Sequence, residues 1–161
     1  MSGDIFLKLE GIEGESEDSK HKNEMQVETV SWGVSNATSF SQGGGGGVGK
    51  AHLQDIHLTK KVDKGSPKLF LACASGEHVK SATLTFRKSG KEQQEYLIVK
   101  LSDVMISSIS FQDHAAGGDL AHESISLAYA KIETEYKPQK SDGTLAGGIQ
   151  SGWNVKENKK V

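Results

Sequence analysis

The sequence is poor in cysteine, proline and arginine. Its 161 residues contain one Cys and two Pro, and a single cysteine excludes a framework of internal disulfides. Arg87 is the only arginine among 19 basic residues, and the formal net charge is −2. Surfaces that bind nucleic acid favour arginine and a surplus of positive charge. We therefore predict that the chain does not bind nucleic acid.

Long apolar runs and export signals are also missing. No run approaches the roughly 18 apolar residues that would span a membrane, and we expect no membrane insertion. Residues 1–10 lack a positively charged start, a long apolar segment and a signal-peptidase cleavage site. We predict synthesis in the cytoplasm and, if the protein leaves the cell, a route other than general secretion.

A glycine-rich segment resembles the start of a phosphate-binding loop but fails as one. Residues 44–50 read Gly-Gly-Gly-Gly-Val-Gly-Lys, which matches the beginning of that motif. The next residue is Ala51, so the hydroxyl that would hold Mg²⁺ is missing. Residues 53–58 have strand character, so no helix N-terminus would face a phosphate. We predict no nucleotide site.

The residues that commonly serve in metal and catalytic sites are scattered. His52 and His57 are five positions apart on a predicted strand, which places them on opposite faces. No histidine or cysteine spacing resembles a zinc site, and no Gly-x-Ser-x-Gly elbow is present. We therefore predict no cofactor, no metal and no catalytic residues, and we interpret the chain as a protein other than an enzyme.

Most of the sequence alternates between apolar and polar residues with period two, which is typical of strands with one buried face. Residues 4–10, 81–88 and 96–101 are predicted strands. The apolar phase of residues 25–34 changes near Thr29, and that of the last long strand changes at Lys131. Each change predicts a bulge or a strand that crosses between sheets.

One short helix is predicted after residue 65. Ser66 is a candidate cap, Pro67 suits the first helical position, and Gly76 suits a left-handed exit. Leu69, Phe70 and Cys73 are expected to share its buried face. Strands with one short helix predict an all-β barrel or sandwich, in a single domain that spans residues 1–161. Hydrophobic residues make up only 35% of the chain, which predicts a thin core or one completed by neighbouring subunits.

Short motifs along nearly the whole chain resemble the haemolysin-coregulated protein family, the tube proteins of bacterial type VI secretion systems. The motifs are Gly-Ile-Glu-Gly-Glu-Ser at 11–16, Val-Ser-Trp-Gly-Val at 30–34, the glycine loop at 43–50, Ser-Pro-Lys-Leu at 66–69, Ala-Cys-Ala-Ser-Gly at 72–76, Tyr-Leu-Ile at 96–98, residues 104–108, Tyr-Lys-Pro-Gln at 136–139 and Gly-Trp-Asn at 152–154.

The resemblance implies a β-barrel of two antiparallel sheets flanked by one α-helix. It also implies a homo-hexameric ring with a central channel, and rings that stack into a tube. The implied partners are sheath proteins, a spike protein and effector proteins that the channel carries or stabilises. The protein would start in the bacterial cytoplasm and be secreted without a cleaved signal peptide.

Two groups of residues receive candidate roles from this resemblance. Thr29 and Ser31 are small polar residues in one phase of a strand, and we expect them on the channel wall. The glycine loop is expected to contact the adjacent subunit or the next ring, because glycine allows a loop to order only on contact. Its residues are Gly43, Gly44, Gly45, Gly46, Gly47, Val48, Gly49 and Lys50.

A competing interpretation is a monomeric β-sandwich that binds a ligand such as a carbohydrate through exposed aromatic rings. Trp32 and Trp153 are the two tryptophans available to stack on sugars. Trp32 shares a phase with Val30 and Val34, which favours burial and weighs against this interpretation.

Overall fold

The structure, a computed structural model, describes residues 3–37, 49–90 and 92–161. Within these residues the chain forms strands, one α-helix and a short 3₁₀ turn at Ala115–Gly117. The elements are β1 (Asp4–Leu9), β2 (Met25–Val27), β3 (Thr29–Ser31), β4 (Val34–Asn36), β5 (Ala51–Leu53), β6 (Ile56–Lys61), α1 (Ser66–Ser75), β7 (His78–Arg87), β8 (Glu95–Gln112), β9 (His122–Tyr136), β10 (Ile149–Asn154) and β11 (Lys159–Lys160).

The strands form one large antiparallel sheet and one small one. The large sheet has the order β11-β10-β9-β8-β7-β1-β2, and β6 and β3 extend it from the first half of β9. The small sheet pairs β4 with β5. Because β9 pairs with β6 through its first half and with β10 through its second, this one strand joins two parts of the fold.

The predicted all-β fold with two antiparallel sheets and one helix is confirmed, although the sheet of the implied β-barrel is not closed in the described residues. In the described residues β2 pairs with β1, β3 pairs with β6, and no ladder joins β2 to β6. The irregularity predicted near Thr29 lies between β2 and β3. Glu28 separates these two strands, and its N–H donates to the Thr59 carbonyl at 2.8 Å. The phase change at Lys131 is also confirmed, because Leu127 before it and Ile132 after it are both buried.

Helix α1 differs from the predicted one at its start and on its face. Its N-cap is Gly65, while the Ser66 hydroxyl accepts the Asp63 N–H that precedes the helix. The helix buries Ser66, Leu69 and Ala72, positions three apart, and turns Phe70 to solvent with 57% of its surface exposed. Gly76 ends the helix at φ 67°, as predicted, where a side chain would be strained.

The core lies between the helix and one face of the large sheet. Leu7, Leu84 and Val99 from the central strands are fully buried, and Leu69 of α1 packs with them. Burial of each such side chain stabilises the fold by about 1.5–3 kcal/mol. No helix in the described residues is long and apolar enough to cross a membrane.

A second buried layer covers the other face of the β1–β7 pair. The loop between β1 and β2 places the His21 ring on the Phe6 ring, with centroids 4.4 Å apart. Arg87 lies over the same Phe6 ring at 4.8 Å and donates hydrogen bonds to Asp4 and Asp18, each at 2.8 Å. Only 3% of Arg87 is exposed. The alternation along β7 does not reveal this burial, because the loop that covers Arg87 comes from another part of the chain.

The Arg87–Asp18 pair makes the unfolding free energy depend on pH. The hydrogen bond from Arg87 lowers the pKa of Asp18 to about 2, against 3.8 ordinarily. A carboxylate with a lowered folded-state pKa stabilises the fold above its unfolded pKa and loses that contribution as pH falls through the folded value. We expect the unfolding free energy to fall between about pH 4 and pH 2, and to fall less in Asp18→Asn. Urea titrations across that range measure the difference, and parallel curves would contradict it.

Candidate functional site: a hydroxyl-rich sheet face

A polar face covers four neighbouring strands at one end of the large sheet. The strands are β3, β6, the first half of β9 and the second half of β8, paired in that order. Alternate side chains point outward, while those between them, such as Leu58 and Ile125, are buried. We call the outward set the hydroxyl face; its members are Thr29, Ser31, His57, Thr59, Lys61, Ser108, Ser110, Gln112, His122, Ser124 and Ser126, of which Ser126 alone is buried.

Strand register aligns this face into rows. One row runs Thr29, Thr59, Ser124 and Ser110, and the next runs Ser31, His57, Ser126 and Ser108. The structure therefore brings the two predicted wall residues, Thr29 and Ser31, onto one exposed surface with hydroxyl neighbours. These neighbours were missed by sequence reasoning because strand pairing is not readable from one chain.

Cross-strand hydrogen bonds order the face. The Thr29 and Thr59 hydroxyls lie 2.6 Å apart, and His57 Nδ1 lies 2.7 Å from the Ser126 hydroxyl. Such pairs each contribute roughly 0.2–1 kcal/mol to a sheet. The side chains on the face are thus held in place by their neighbours.

Charged groups stand mainly at one end of the face and are paired there. Lys61 Nζ lies 3.0 Å from Asp119, and His122 Nε2 lies 3.1 Å from Glu28. The hydrogen bond between Lys61 and Asp119 raises the pKa of the lysine and lowers that of the aspartate. The middle row consequently presents only hydroxyls, and the imidazole of His57 lies in the row at the opposite end.

A buried ion-pair cluster lies directly beneath the face. Lys60 and Glu123 are fully buried and contact each other, and Lys60 Nζ also lies 3.0 Å from Asp63. The Ser66 hydroxyl donates to Glu123 at 2.9 Å, and this hydrogen bond links the start of α1 to β9. Sequence reasoning missed this cluster, although period two places Lys60 in phase with Leu58 and Glu123 in phase with Ile125.

The predicted glycine loop falls mostly outside the described residues, which include only Gly49 and Lys50 of that group. Gly49 lies so close to the backbone of Ala37 that a Cβ would collide with it, so glycine is required there. Lys50 is exposed and directly precedes β5. The β4–β5 ladder closes the base of the loop, pairing Val34 with Leu53.

An apolar groove separates the small sheet from β9 and β10. Trp32 is half-buried against Phe86, with ring centroids 5.9 Å apart, and the indole nitrogen of Trp153 is buried without a hydrogen-bond partner. Tyr129 donates its hydroxyl to the Gln54 carbonyl at 2.8 Å, and burial raises its pKa to about 12. Neither tryptophan is a flat exposed platform of the kind that stacks on sugars.

Metal ligands do not converge in the part of the chain that the structure describes. No three or more histidine, cysteine, aspartate or glutamate side chains there are grouped to hold an ion. The hydroxyl face offers many hydrogen-bond donors and acceptors spread over a broad area. Such a surface is suited to contact with a macromolecule.

This architecture is that of proteins of the type VI secretion system. A solved structure described as that of a type six secretion system protein superposes with a TM-score of 0.94 at 31% identity, covering 99% of this chain and 100% of the other. Hcp1 from Salmonella typhimurium superposes with a TM-score of 0.79 at 32% identity over the full length of both chains.

The chain belongs to the Hcp family. The family described as "Type VI secretion system effector, Hcp" matches residues 6–136. Protein hcp1 of Pseudomonas aeruginosa is 44% identical over 160 residues, 98% of each chain. The resemblance read from the sequence motifs is confirmed, and the chain is a type VI secretion protein.

Proposed function

We propose that six copies of this chain form a ring whose channel is lined by the hydroxyl face, and that rings stack into a tube that carries effector proteins. One observation carries this proposal: the face ends in two strands with unpaired edges. In the described residues β3 pairs only with β6, and residues 108–112 of β8 pair only with β9. Unpaired edges are templates for another strand.

The strand directions allow the two edges to meet. The four strands β3, β6, β9 and β8 are each antiparallel to the next, so β3 and β8 run in opposite directions. A neighbour's β3 placed beside β8 therefore continues the antiparallel pattern. Contacts between two different edges are heterologous, and they close a ring when the rotation per subunit divides the circle.

The mass of the purified protein tests this proposal directly. Size-exclusion chromatography with light scattering is expected to give about six times the chain mass of 17.3 kDa. Electron microscopy is expected to show rings with a central hole. A protein that stays monomeric at micromolar concentration would overturn the ring.

The remaining partners follow from the ring as proposals. Stacked rings would be enclosed by sheath proteins and tipped by a spike protein, and the protein would leave the bacterial cytoplasm with them, without a cleaved signal peptide. Channel transport of folded cargo requires a wall that contacts it weakly. The hydroxyl face supports this role because its exposed side chains are mainly small and polar.

We expect a bulky charge at Ser31 to impair cargo retention more than ring formation. Ser31 is exposed and lies in the row with His57 and Ser126, so Ser31→Glu places a carboxylate on the wall without removing a core contact. Co-purification of an effector with the ring is expected to fall several-fold, while light scattering still reports rings.

The matched control for this change is Ser89→Glu, at an exposed serine in the turn between β7 and β8. It adds the same charge away from the hydroxyl face. Equal cargo retention by the two variants would contradict a wall position for Ser31.

We expect removal of Gly43–Gly47 to leave rings intact and to weaken stacking. The β4–β5 pair, with Gly49 packed on Ala37, closes the base of this loop independently of the deleted glycines. Sedimentation and electron microscopy are expected to show single rings in place of tubes. Loss of the rings themselves would contradict the stacking role.

A further inference from the structure

The side of the sheet opposite the hydroxyl face carries an apolar row that is open at both ends. The row runs Val30, Leu58, Ile125 and Ile109 across β3, β6, β9 and β8. Leu58 and Ile125 in its middle are each 1% exposed, whereas Val30 and Ile109 at its ends are only partly buried. The core therefore covers the middle of the row and leaves both ends accessible at the unpaired strand edges.

Phe111 is a large apolar side chain at the same edge of β8. It lies two residues from Ile109 and therefore points to the same side of the sheet. Its ladder partner on β9, Glu123, is 1% exposed, but 50% of Phe111 remains accessible. In the described residues no strand pairs with the other edge of this part of β8, so one flank of the aromatic ring is uncovered.

Strand alternation limits how a second copy can pair with this edge through its β3. A one-residue slip of β3 would turn Val30 toward the channel and would turn Thr29 and Ser31 toward the core. A register that keeps the hydroxyl face continuous therefore places the neighbour's Val30 on the side of Ile109 and Phe111. Only even-numbered shifts of the register preserve this match.

The closure of a ring of strands selects among these registers, because closure requires a stagger between successive rows. The smallest even stagger, two residues toward the end of β8, sets the neighbour's Val30 opposite Phe111. It also sets the neighbour's Trp32 opposite Ile109. Without a stagger, the neighbour's Glu28 would lie opposite Phe111, and a carboxylate loses solvation beside an apolar side chain. The staggered register instead matches apolar residues in both rows.

Resting on the ring proposed above, we propose that Phe111 is the apolar anchor of the contact between subunits and packs against Val30 and Trp32 of the neighbouring copy. Strand pairing then joins the two subunits along the channel wall, and an apolar layer beneath it continues the core of one subunit into the next. Backbone pairing is possible in several registers, whereas the apolar layer favours one of them.

Dilution of the assembled protein tests the anchor. Truncation of an anchor side chain at an interface weakens association on the order of tenfold or more. Phe111→Ser is therefore expected to raise the concentration at which rings dissociate by about that factor, as measured by mass photometry. The matched control is Ile149→Ser, which truncates a more exposed apolar residue on β10 and is expected to leave dissociation unchanged. Equal dissociation of Phe111→Ser and the wild type would overturn the anchor.

Cysteine pairs test the register without removing the contact, in a chain whose one cysteine, Cys73, is replaced by serine. Residues directly opposite each other in an antiparallel pair have Cα atoms about 4.5–5.5 Å apart, which a disulfide can bridge. Val30→Cys with Phe111→Cys is expected to give a ladder of linked chains on a non-reducing gel after mild oxidation. Within one subunit β6 and β9 separate these two positions, so a link between them must join two subunits.

The matched control pair is Val30→Cys with Ile109→Cys, which is expected to stay unlinked. Linkage of this pair alone would overturn the stagger, and linkage of neither pair would overturn the contact. Light scattering of the wild-type chain separates this contact from the ring itself. A monomeric wild type overturns the proposed ring, whereas wild-type rings that persist equally in Phe111→Ser overturn only the anchor.

Discussion

Replacement of Lys60 by methionine is expected to lower the unfolding free energy by about 3–5 kcal/mol, since removing one partner of a buried ion pair leaves the other charge uncompensated. Lys60 and Glu123 are both fully buried, and Asp63 is nearly so. Without the ammonium, two carboxylates would face each other beneath the sheet. One oxygen of Glu123 already lacks a hydrogen-bond partner. The site therefore has no spare donor to stabilise the carboxylate charge once the ammonium is removed.

The double variant Lys60→Met with Glu123→Met separates lost charge compensation from lost packing. Replacing both charges of a buried pair by apolar groups of similar volume is often neutral or stabilising. We therefore expect the double variant to regain part of the loss, because Asp63 still lacks its ammonium partner and the Ser66 hydroxyl loses its acceptor. Urea denaturation at fixed protein concentration measures both variants. A double variant as unstable as the single one would contradict the electrostatic explanation.

This cluster shows which part of the fold was readable from the sequence. Period-two alternation places Lys60 and Glu123 on the buried side of their strands, and that is where the structure has them. Their mutual contact was not readable, because they are far apart along the chain and pairing depends on the register of β6 with β9. The alternation along a helix or strand depends on neighbouring residues in the sequence, whereas a buried ion pair depends on how distant segments pack together.

The same distinction explains where the structure departs from the sequence pattern. Arg87 is a polar alternate of β7, yet it is buried because a loop from a distant part of the chain covers it. Phe70 shares a helical side with Leu69 but faces solvent because α1 packs through positions three apart. Thr29 and Ser31 are both exposed on one face of β3, which their shared phase predicts without tertiary information.

Proline substitution in the free edge of β8 is expected to abolish rings without unfolding the chain. In an antiparallel edge strand, alternate residues direct their N–H groups toward the paired strand and away from it. Ser110 and Phe111 are neighbours, so one of their N–H groups points toward β9 and the other points away from the sheet. One of the substitutions Ser110→Pro and Phe111→Pro therefore removes a hydrogen bond to β9, and the other removes an N–H donor on the free edge. The variant that keeps near-wild-type thermal stability is expected to elute as a monomer, because proline blocks the pairing that an edge strand offers.

Control substitutions at another edge test whether β8 is special. Lys159→Pro and Lys160→Pro alter the exposed edge strand β11, which lies at the opposite end of the large sheet. Each of these two variants that folds is expected to form rings. A folded β8 variant that still assembles to the full mass would contradict an edge-to-edge contact at this strand.

Mixing two blocked chains provides the strictest test, because a heterologous contact joins two different edges. A chain with proline at Thr29 or Val30, chosen in the same way for intact stability, retains only a working β8 edge. The β8 variant retains only a working β3 edge. Each alone is expected to be monomeric, while an equimolar mixture is expected to stop at twice the chain mass of 17.3 kDa. If β3 paired with β3 and β8 with β8, each variant would instead dimerise by itself and the mixture would add nothing.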